Sequence, residues 1–535
     1  MGRVEDRAHE RRWWILAVLC FSLLVIVLDN SILNVAIPTI IRDLGASNTE
    51  VQWIVDSYTL VFAGLLLTAG ALGDRFGRRG ALQIGFVIFG LGSVISAMAG
   101  SADQLIATRA VMGIGGALIM PATLSIITNV FPPKERGRAI GVWAGVAGLG
   151  AALGPLTGGF LVEHFYWGSV FLVNIPIVII GLAAGFVLIP TSKDPSAPRL
   201  DIVGAILSVI GLTVLLYGII EAPVEGWGDP LILAAMGTGV FLMAAFILWE
   251  RHSSHPMLEV GFFRKPRFSA ASASITAVFF AMFGSIFLLT QYFQFVLGYT
   301  PLQTGVRMVP FAAAMMVTAP TSSRIVERVG TKATVTTGLT LVTLGLLSMS
   351  TLQVDSSYAQ VLWRLVVMSV GMGLTMAPAT DSVMGSLPLA KAGVGSAVND
   401  TTRQVGGALG VAVIGSVLAS TYGSQVEEFL TGMGAPPEAI EGATSSLGGA
   451  VAVAAQAPAE MGNALVATAN QAFVDAMHWG VFAAATATFL GALGAVRFLP
   501  ARPPEEDEAF QGDEYLDEHA HDVDIEEIRT EIDLQ

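Results

Sequence analysis

Long apolar segments recur along the whole chain, and they constrain its fold more than any other feature of the sequence. A helix needs about 20 mainly apolar residues to cross a bilayer. Fourteen segments of the chain meet this requirement, at residues 14–37, 51–73, 80–99, 102–128, 137–161, 170–189, 202–220, 231–249, 269–289, 302–323, 331–351, 359–379, 393–421 and 477–499. With 53% hydrophobic and only 13% charged residues, the composition also argues against a soluble protein. The sequence therefore predicts an all-α polytopic membrane protein with fourteen transmembrane helices.

The distribution of basic residues predicts how these helices are oriented. Lysine and arginine favour cytoplasmic loops. With a cytoplasmic N-terminus, all but five of the 28 Lys and Arg residues fall in cytoplasmic segments. The exceptions are Arg42 in an outer loop and Arg109, Arg307, Arg364 and Arg403 within predicted helices. We expect a multi-pass protein of the cytoplasmic membrane with both termini in the cytoplasm.

The net charge of −14 is concentrated in a short C-terminal segment. Residues 502–535 hold fourteen Asp and Glu residues against two Arg. Such a segment has too few apolar residues to form a core, which predicts a disordered tail. The low overall pI therefore carries no information about the ligand, and nothing indicates a nucleic-acid partner.

The sequence contains no motif that would supply chemical energy. No Lys follows a Gly, so a phosphate-binding loop of the Walker type is absent. No His, Cys, Asp or Glu cluster has the spacing of metal ligands. We expect neither an enzyme nor a protein with a cofactor, and any active transport must use an ion gradient or a partner subunit.

The most specific motif lies between the second and third predicted helices. It reads Gly70-Ala71-Leu72-Gly73-Asp74-Arg75-Phe76-Gly77-Arg78-Arg79-Gly80-Ala81-Leu82. The glycines allow a turn and a close approach of helices. Asp74 can cap the third helix or pair with a neighbouring arginine, and the three arginines hold the loop in the cytoplasm. A simple basic turn that only fixes topology is the alternative.

A weaker copy of this motif lies between the tenth and eleventh predicted helices. There Glu327 stands in for Asp74 and Arg328 for Arg75. Gly330 takes the place of Gly77 and Lys332 that of Arg79. Two copies indicate an internal repeat of six-helix halves, and the two helices left over form a central insert.

The repeat predicts five regions along the chain. These are a cytoplasmic N-terminus at 1–13, an N-terminal six-helix bundle at 14–189, a two-helix insert with its loops at 190–263, a C-terminal six-helix bundle at 264–499 and an acidic disordered tail at 500–535. The C-terminal bundle includes an outer loop at 424–476, whose short apolar periodicities are typical of a helical hairpin.

Three further motifs lie inside predicted helices. The fifth helix carries a stripe of glycines with a proline, at Gly150, Gly154, Pro155, Gly158 and Gly159. Glycines four residues apart form one face for close packing, and the proline can bend the helix. The first helix contains the second motif, at residues 28–38, and the thirteenth helix contains the third, at residues 395–407.

Together these motifs resemble the major facilitator superfamily, and within it the fourteen-helix drug:proton antiporters. The resemblance covers about residues 14–499, with four motifs in the right order. It implies a major-facilitator fold and a multidrug efflux permease that confers antibiotic resistance. Two departures are Met112, where the family often has Gln, and the segment Tyr166-Trp167-Gly168, which lacks the Arg of the family's frequent Trp-Arg-Trp.

Ionisable residues within the helices are the candidates for proton coupling and substrate binding. At about 1.5 Å per residue, Asp29, Asp56 and Arg109 fall at similar depths in the outer half of a core about 30 Å thick. An arginine favours the charged carboxylate and desolvation the neutral one, so such a set can exchange a proton or a substrate cation. A structural ion pair is the alternative. Asp400, three residues before Arg403, is a second candidate.

The expected function is export of small lipophilic or cationic compounds by proton antiport. Aromatic residues of the ninth helix, Phe279 among them, are candidates for an apolar cavity that takes cations. Export of one endogenous metabolite, siderophore or lipid is the main alternative, and a non-transporting receptor or scaffold is another. The expected partners are the small-molecule substrate, protons and membrane lipids. The sequence does not indicate an oligomer.

Overall fold

Long helices are the form that such apolar segments take in a bilayer, because a helix pairs its own backbone amides and carbonyls. The computed structural model describes residues 10–46, 48–194 and 200–501. Within these residues it contains fourteen helices of 15 residues or more and no strand. Residues 1–9 of the predicted N-terminus and residues 502–535 of the predicted acidic tail lie outside the described residues.

The long helices are numbered in chain order. They are α1 Arg12–Leu44, α2 Asn48–Phe76, α3 Arg78–Ala97, α4 Ala102–Val130, α5 Pro133–His164, α6 Asn174–Leu188, α7 Ile202–Glu225, α8 Pro230–His252, α9 Pro266–Gln291, α10 Pro301–Val329, α11 Thr331–Met349, α12 Tyr358–Met384, α13 Ala392–Gly432 and α14 Ala459–Phe498. Short helical turns at Ser169–Leu172, Val260–Arg264 and Leu389–Lys391 precede α6, α9 and α13.

Twelve helical ranges of the described chain are long and apolar enough to cross a membrane. The helices α5 and α10 are not among them, although they contain 32 and 29 residues. Both carry several glycine, proline or hydroxyl side chains, which lower their hydropathy. The multi-pass architecture is therefore confirmed, and the number of fourteen spans stays a prediction.

Capping side chains mark the beginning of several helices, and glycines mark the end of others. Ser101, Asp201 and Asp229 accept backbone hydrogen bonds at the N-termini of α4, α7 and α8, as N-cap residues do. Gly45 and Gly226 follow α1 and α7 with positive φ angles of 64° and 102°. A left-handed backbone favours glycine there, so the sequence itself marks where these helices stop.

The helix pairings of α1–α6 recur in α9–α14. In the first set α1 packs on α4, α5 and α6, and α4 packs on α2 and α3. In the second set α9 packs on α12, α13 and α14, and α12 packs on α10 and α11. Each set has its own cluster of buried apolar side chains. The helices α1–α6 and α9–α14 thus form two sets with equivalent packing, which we call the first and the second half, and the loop motifs predict such a repeat.

The inserted helices α7 and α8 form a pair on the outside of the two halves. The helix α7 packs on α2 of the first half and on α13 of the second. The apolar side chains Leu231, Val240, Phe241 and Leu248 of α8 are exposed, as expected on a surface that faces lipid. The insert therefore bridges the seam between the halves on one side.

The two halves meet at the end of the molecule where the loop after α2 lies, which we call the basic end. A Cβ atom at Gly70 of α2 would lie 2.6 Å from the carbonyl oxygen of Gly393 in α13. On the other side of the seam, a Cβ atom at Gly141 of α5 would lie 2.7 Å from Cα of Pro320 in α10. The backbones approach so closely only because these positions are glycines.

The segment between the two last long helices is helical as well. The helix α13 runs on to Gly432, and α14 begins at Ala459, earlier than the predicted span at 477–499. Between them lie the short helices Pro437–Ser445 and Leu447–Ala454. The hydroxyl of Tyr422 donates to the carbonyl oxygens of Ala443 and Ser446, at 3.1 and 3.2 Å, and ties the segment to α13.

Candidate functional site

Asp29 of α1 and Arg109 of α4 form an ion pair in the interior of the first half. Nη1 of Arg109 donates to Oδ2 of Asp29 at 2.5 Å. Both residues are fully buried. The sequence predicts this pairing from the similar depths of the two residues in their helices, and the structure brings them together. A desolvated pair of this kind is a strong interaction that leaves a large penalty if either partner is removed.

Asn174 completes the surroundings of Asp29, and sequence reasoning missed it. Its Nδ2 donates to Oδ1 of Asp29 at 2.8 Å and lies 3.3 Å from Oγ of Ser93. Asn174 is fully buried at the start of α6. The available signal is a polar residue followed by Ile175-Pro176 within an otherwise apolar segment. Both oxygens of the Asp29 carboxylate therefore have a donor.

Arg109 also contacts the helix α2. Its Nε donates to the carbonyl oxygen of Ile54 at 3.2 Å, and its guanidinium lies 4.3 Å from the ring centroid of Tyr58. Its Nη2 is buried without a hydrogen-bond partner. The neighbouring Met112, where the family often has Gln, instead packs its sulfur 3.4 Å from Oγ of Ser96. The methionine thus points to α3, and Nη2 of Arg109 has no hydrogen-bond partner.

Asp56 belongs to a different group from the one predicted. The described interactions of its carboxylate go to Gln52, one turn earlier in α2, and to the charge of Glu221 in the inserted helix α7. Nε2 of Gln52 donates to Oε2 of Glu221 at 2.9 Å. Beside them Trp53 stacks on Tyr217, with ring centroids 6.1 Å apart. No described contact joins Asp56 to Asp29 or Arg109.

Asp400 and Arg403 lie on one face of α13, as their spacing predicts. Nη1 of Arg403 is 3.9 Å from Oδ1 of Asp400, so the ion pair is looser than that of Asp29. Nδ2 of Asn399 lies 3.4 Å from the same oxygen, and Oδ2 of Asp400 is buried without a hydrogen-bond partner. Nη2 of Arg403 donates to Oγ1 of Thr380 in α12 at 3.2 Å.

Asp74 in the loop motif links the two halves at the basic end. Its carboxylate accepts from Nη2 of Arg78 at 2.7 Å, which confirms the predicted pairing with a neighbouring arginine. It does not cap α3, whose N-cap is Gly77 with no side-chain hydrogen bond. It accepts instead from the backbone amides of Gly393 and Val394 at the start of α13, at 2.8 and 3.0 Å. Asp74 thus caps a helix of the opposite half.

Arg78 makes the same connection from the other side of the loop. Its Nη2 donates to the carbonyl oxygens of Leu389 and Ala390, at 2.7 and 3.0 Å. Gly77 has a φ of 115°, a conformation that a glycine adopts without strain. The expectation that glycines end α2 holds for Gly77 but not for Gly73, because the helix continues to Phe76.

The two other arginines of the motif lie around the loop. Arg75 lies over the ring of Phe76, 5.3 Å from its centroid. Arg79 lies 4.7 Å from the ring centroid of Phe186, and its Nη1 donates to the carbonyl oxygen of Ile189 at 3.3 Å. Arg79 therefore holds the loop to the end of α6.

The second copy of the motif forms the turn between α10 and α11 but makes no described contact with the opposite half. Gly330 has a φ of 86° and begins α11, as Gly77 begins α3. Glu327 and Arg328 are exposed, whereas Asp74 and Arg78 are buried. Among the contacts of the described residues, those of the first copy join the halves, and Glu327 and Arg328 make no such contact.

The glycine stripe of α5 lies against the helix that carries Asp29. Cβ atoms at Gly150 and Gly158 would lie 3.0 Å from Val27 and 2.8 Å from Ile32, and one at Gly154 would overlap Ser31. Gly159 faces open space. The close packing predicted for Gly150, Gly154 and Gly158, the glycines four residues apart, is thus confirmed. The helix continues through Pro155.

A crevice of about 310 Å³ opens at the basic end between α2 and α7. Aliphatic side chains such as Leu72, Ile206 and Val209 line it, together with the basic residues Arg75 and Lys391. It adjoins the loop motif rather than the Asp29 pair.

Two matched helical halves, ion pairs buried within membrane-crossing helices and a seam closed at one end define a multi-pass membrane transporter. The model of the Major Facilitator Superfamily matches residues 19–411. The chain belongs to the major facilitator superfamily.

Three relatives match most of the chain. It is 36% identical to the multidrug efflux pump LfrA of Mycolicibacterium smegmatis, over 87% of this chain and 92% of that protein. It is 33% identical to the tetracenomycin C resistance and export protein of Streptomyces glaucescens, over 92% of this chain and 93% of that protein. It is 32% identical to the methyl viologen resistance protein SmvA of Salmonella typhimurium, over 90% of this chain and 97% of that protein.

Solved structures agree at the level of the fold. An inward-facing, occupied crystal structure of a bacterial homolog of the human lysosomal transporter Spinster covers 92% of this chain and 99% of its own. The TM-score is 0.57 at 19% identity. This likeness confirms the major-facilitator fold of the chain.

Proposed function

We propose that this protein exports small lipophilic or cationic compounds, drugs and antibiotics among them, in exchange for protons. The observation that carries the proposal is the fully buried pair of Asp29 and Arg109. Charged groups inside a membrane are costly and usually mark the path of an ion or a substrate. A carboxylate with a hydrogen-bonded arginine can alternately take a proton, lose it and attract a cation.

The relatives support export as the direction of transport and drugs as the cargo. One relative is a multidrug efflux pump, one is a resistance and export protein for tetracenomycin C, and one confers resistance to methyl viologen. The compounds in these names are small molecules, and methyl viologen is a cation. Carboxylates within an apolar bundle suit the cationic members of such a set.

The proposed cycle opens and closes the two ends of the seam in turn. In this structure the basic end is closed by Asp74, Arg78 and the glycine contacts of Gly70 with Gly393. We assign the basic end to the cytoplasm, because basic loops stay on that side. Cargo entry from the cytoplasm then requires these contacts to break, and proton entry from outside requires them to form.

The energy source is the proton gradient, and the protein catalyses no chemical reaction in this scheme. A protonated Asp29 no longer needs Arg109 as a counter-ion, so protonation changes the contact between α1 and α4. Release of the proton on the cytoplasmic side restores the pair. Asp56 and Asp400 offer further carboxylates for the substrate cation.

A dedicated exporter is the second candidate function. The observation that favours it is the similarity over 92% of the chain to a protein named for export of one compound, tetracenomycin C. Both candidates share the transport mechanism and differ in breadth of cargo. A panel of unrelated cationic and neutral dyes separates them, because a dedicated exporter moves few or none.

Transport in liposomes tests the proposal. The full-length protein is reconstituted, a pH gradient is imposed, and the movement of the lipophilic cation ethidium is followed. We expect ethidium to move against its gradient only while the pH gradient exists, and Asp29→Asn to abolish this movement. Movement that ignores the pH gradient in the wild-type protein contradicts proton antiport.

A further inference from the structure

The guanidinium of Arg403 lies between two aromatic rings that come from opposite halves of the molecule. Its central carbon is 4.7 Å from the ring centroid of Trp143 in α5 and 5.3 Å from that of Phe279 in α9. All three side chains are buried. A cation within about 6 Å of an aromatic face is attracted by the ring quadrupole, and more strongly when water is excluded.

Several buried polar atoms at and around this guanidinium have no hydrogen-bond partner. Its Nε has no hydrogen-bond partner, and neither has Oδ2 of Asp400 or Nε1 of Trp143, although all three atoms are buried. The ion pair itself spans 3.9 Å, against 2.5 Å for Arg109 and Asp29. Unpaired buried polar groups carry a desolvation penalty. Arg403 therefore occupies a site whose polar groups it does not satisfy.

The position of the site is close to the middle of the membrane. Trp143 lies ten residues into α5 and Arg403 eleven residues into α13, so both are roughly 15 Å above the basic end at 1.5 Å per residue. A bilayer core is about 30 Å thick. Transporters bind their cargo at this depth, between the two repeats.

We propose that Trp143, Phe279 and Asp400 form a binding site for the cationic group of the cargo, and that Arg403 is an internal cation that fills it while the halves are closed. The inference rests on the proposed export of cationic compounds. Two aromatic faces and one carboxylate select an organic cation over an anion or a neutral molecule. Because the rings belong to different halves, separation of the halves frees the site and closure returns Arg403 to it.

Equilibrium binding of the lipophilic cation tetraphenylphosphonium to the purified protein tests this inference. Arg403→Gln removes the internal competitor and its positive charge, so we expect the affinity to rise about tenfold. Arg403→Lys keeps a cation in the same place and is expected to bind as the wild type does. Adding Trp143→Leu to Arg403→Gln is expected to cancel the gain.

The control is a second arginine–tryptophan contact that lies away from the site. Arg364 lies 4.6 Å from the ring centroid of Trp363, which is exposed on α12. Trp363→Leu is expected to leave the affinity unchanged. Should Arg403→Gln fail to fold, Trp143→Leu and Phe279→Leu in the wild-type background are each expected to weaken binding about tenfold.

An unchanged or weakened affinity in folded Arg403→Gln overturns the inference, and so does an unchanged affinity in both ring variants. Binding is measured without a pH gradient. Its outcome is therefore independent of whether transport proves to be driven by protons, and the two proposals can fail separately.

Discussion

Asp74 and Val394 are 320 positions apart in the chain, yet Oδ2 of Asp74 accepts a hydrogen bond from the amide of Val394 at 3.0 Å. The same carboxylate binds Arg78 and the amide of Gly393. One acidic side chain of the first half thus holds the N-terminus of α13 in the second. The closed basic end depends on a charge as well as on the glycine contacts.

Removing the charge of Asp74 should open the basic end. Hydrogen bonds to a charged group contribute about 1.5–3 kcal/mol, so Asp74→Asn should raise the open population about tenfold to a hundredfold. The measurement is the labelling rate of a cysteine placed at the buried Ser396 in a Cys20→Ser background. Glu327→Gln, at the exposed equivalent position of the second motif, is the matched control and should not change the rate. Equal rates in Asp74→Asn and the control contradict the assignment.

Variants of the Asp29–Arg109 pair should show that stability can be restored without restoring transport. Asp29→Asn or Arg109→Gln alone leaves a buried partner uncompensated and should destabilise the protein by about 3–5 kcal/mol. The double variant Asp29→Asn with Arg109→Gln removes both charges and should recover most of the thermal stability. Proton-driven transport should remain absent in it.

Recovery of transport together with stability in the double variant would show that the pair is only structural. Thermal unfolding of the purified protein and ethidium transport in liposomes, measured on the same preparations, distinguish the two outcomes.

Asp56 should affect cationic cargo more than stability. Its described partners are Gln52 and Glu221, and no described contact pairs it with a buried cation. Asp56→Asn should therefore shift the unfolding temperature less than Asp29→Asn does. It should lower the apparent affinity for cationic dyes and leave that for neutral dyes unchanged. A loss of stability as large as that of Asp29→Asn would place Asp56 with Arg109 after all.

The glycines of α5 should differ in their tolerance of a side chain. Gly154 packs on Ser31 of α1, so Gly154→Ala should destabilise the protein by about 1–3 kcal/mol through overpacking. Gly159 faces open space, and Gly159→Ala should be neutral or slightly stabilising because alanine favours the helix. Thermal unfolding of the two variants is the measurement. Equal effects would contradict the close packing of α1 on α5.

The sequence predicts those features of the fold that depend on one helix at a time. Apolar length identifies the helices, and the two loop motifs predict the six-helix repeat. Apolar length marks only the part of a helix that lies in the bilayer, however. Apolar length therefore does not identify the beginning of α14 at Ala459, because residues 459–476 are rich in helix-forming alanine but too polar to count as a span.

The site is predictable where charge and depth suffice. Asp29 and Arg109 pair because each needs a partner at the same level of the membrane. Asn174 carries no charge, and Asp56 has an acid and an amide as partners, so depth alone could not identify either environment. The contact of Asp74 with α13 was also beyond the sequence, since it depends on how the two halves dock.

The central claim is that cargo and protons exchange for one another, and proton movement driven by cargo tests it most directly. Wild-type protein is reconstituted in liposomes that contain a pH probe, without a pH gradient. Ethidium is loaded only inside the liposomes. We predict that ethidium leaving the liposomes brings protons in and acidifies the lumen, and that Asp29→Asn removes this signal. Ethidium movement through the wild-type protein without any change in internal pH would contradict proton antiport.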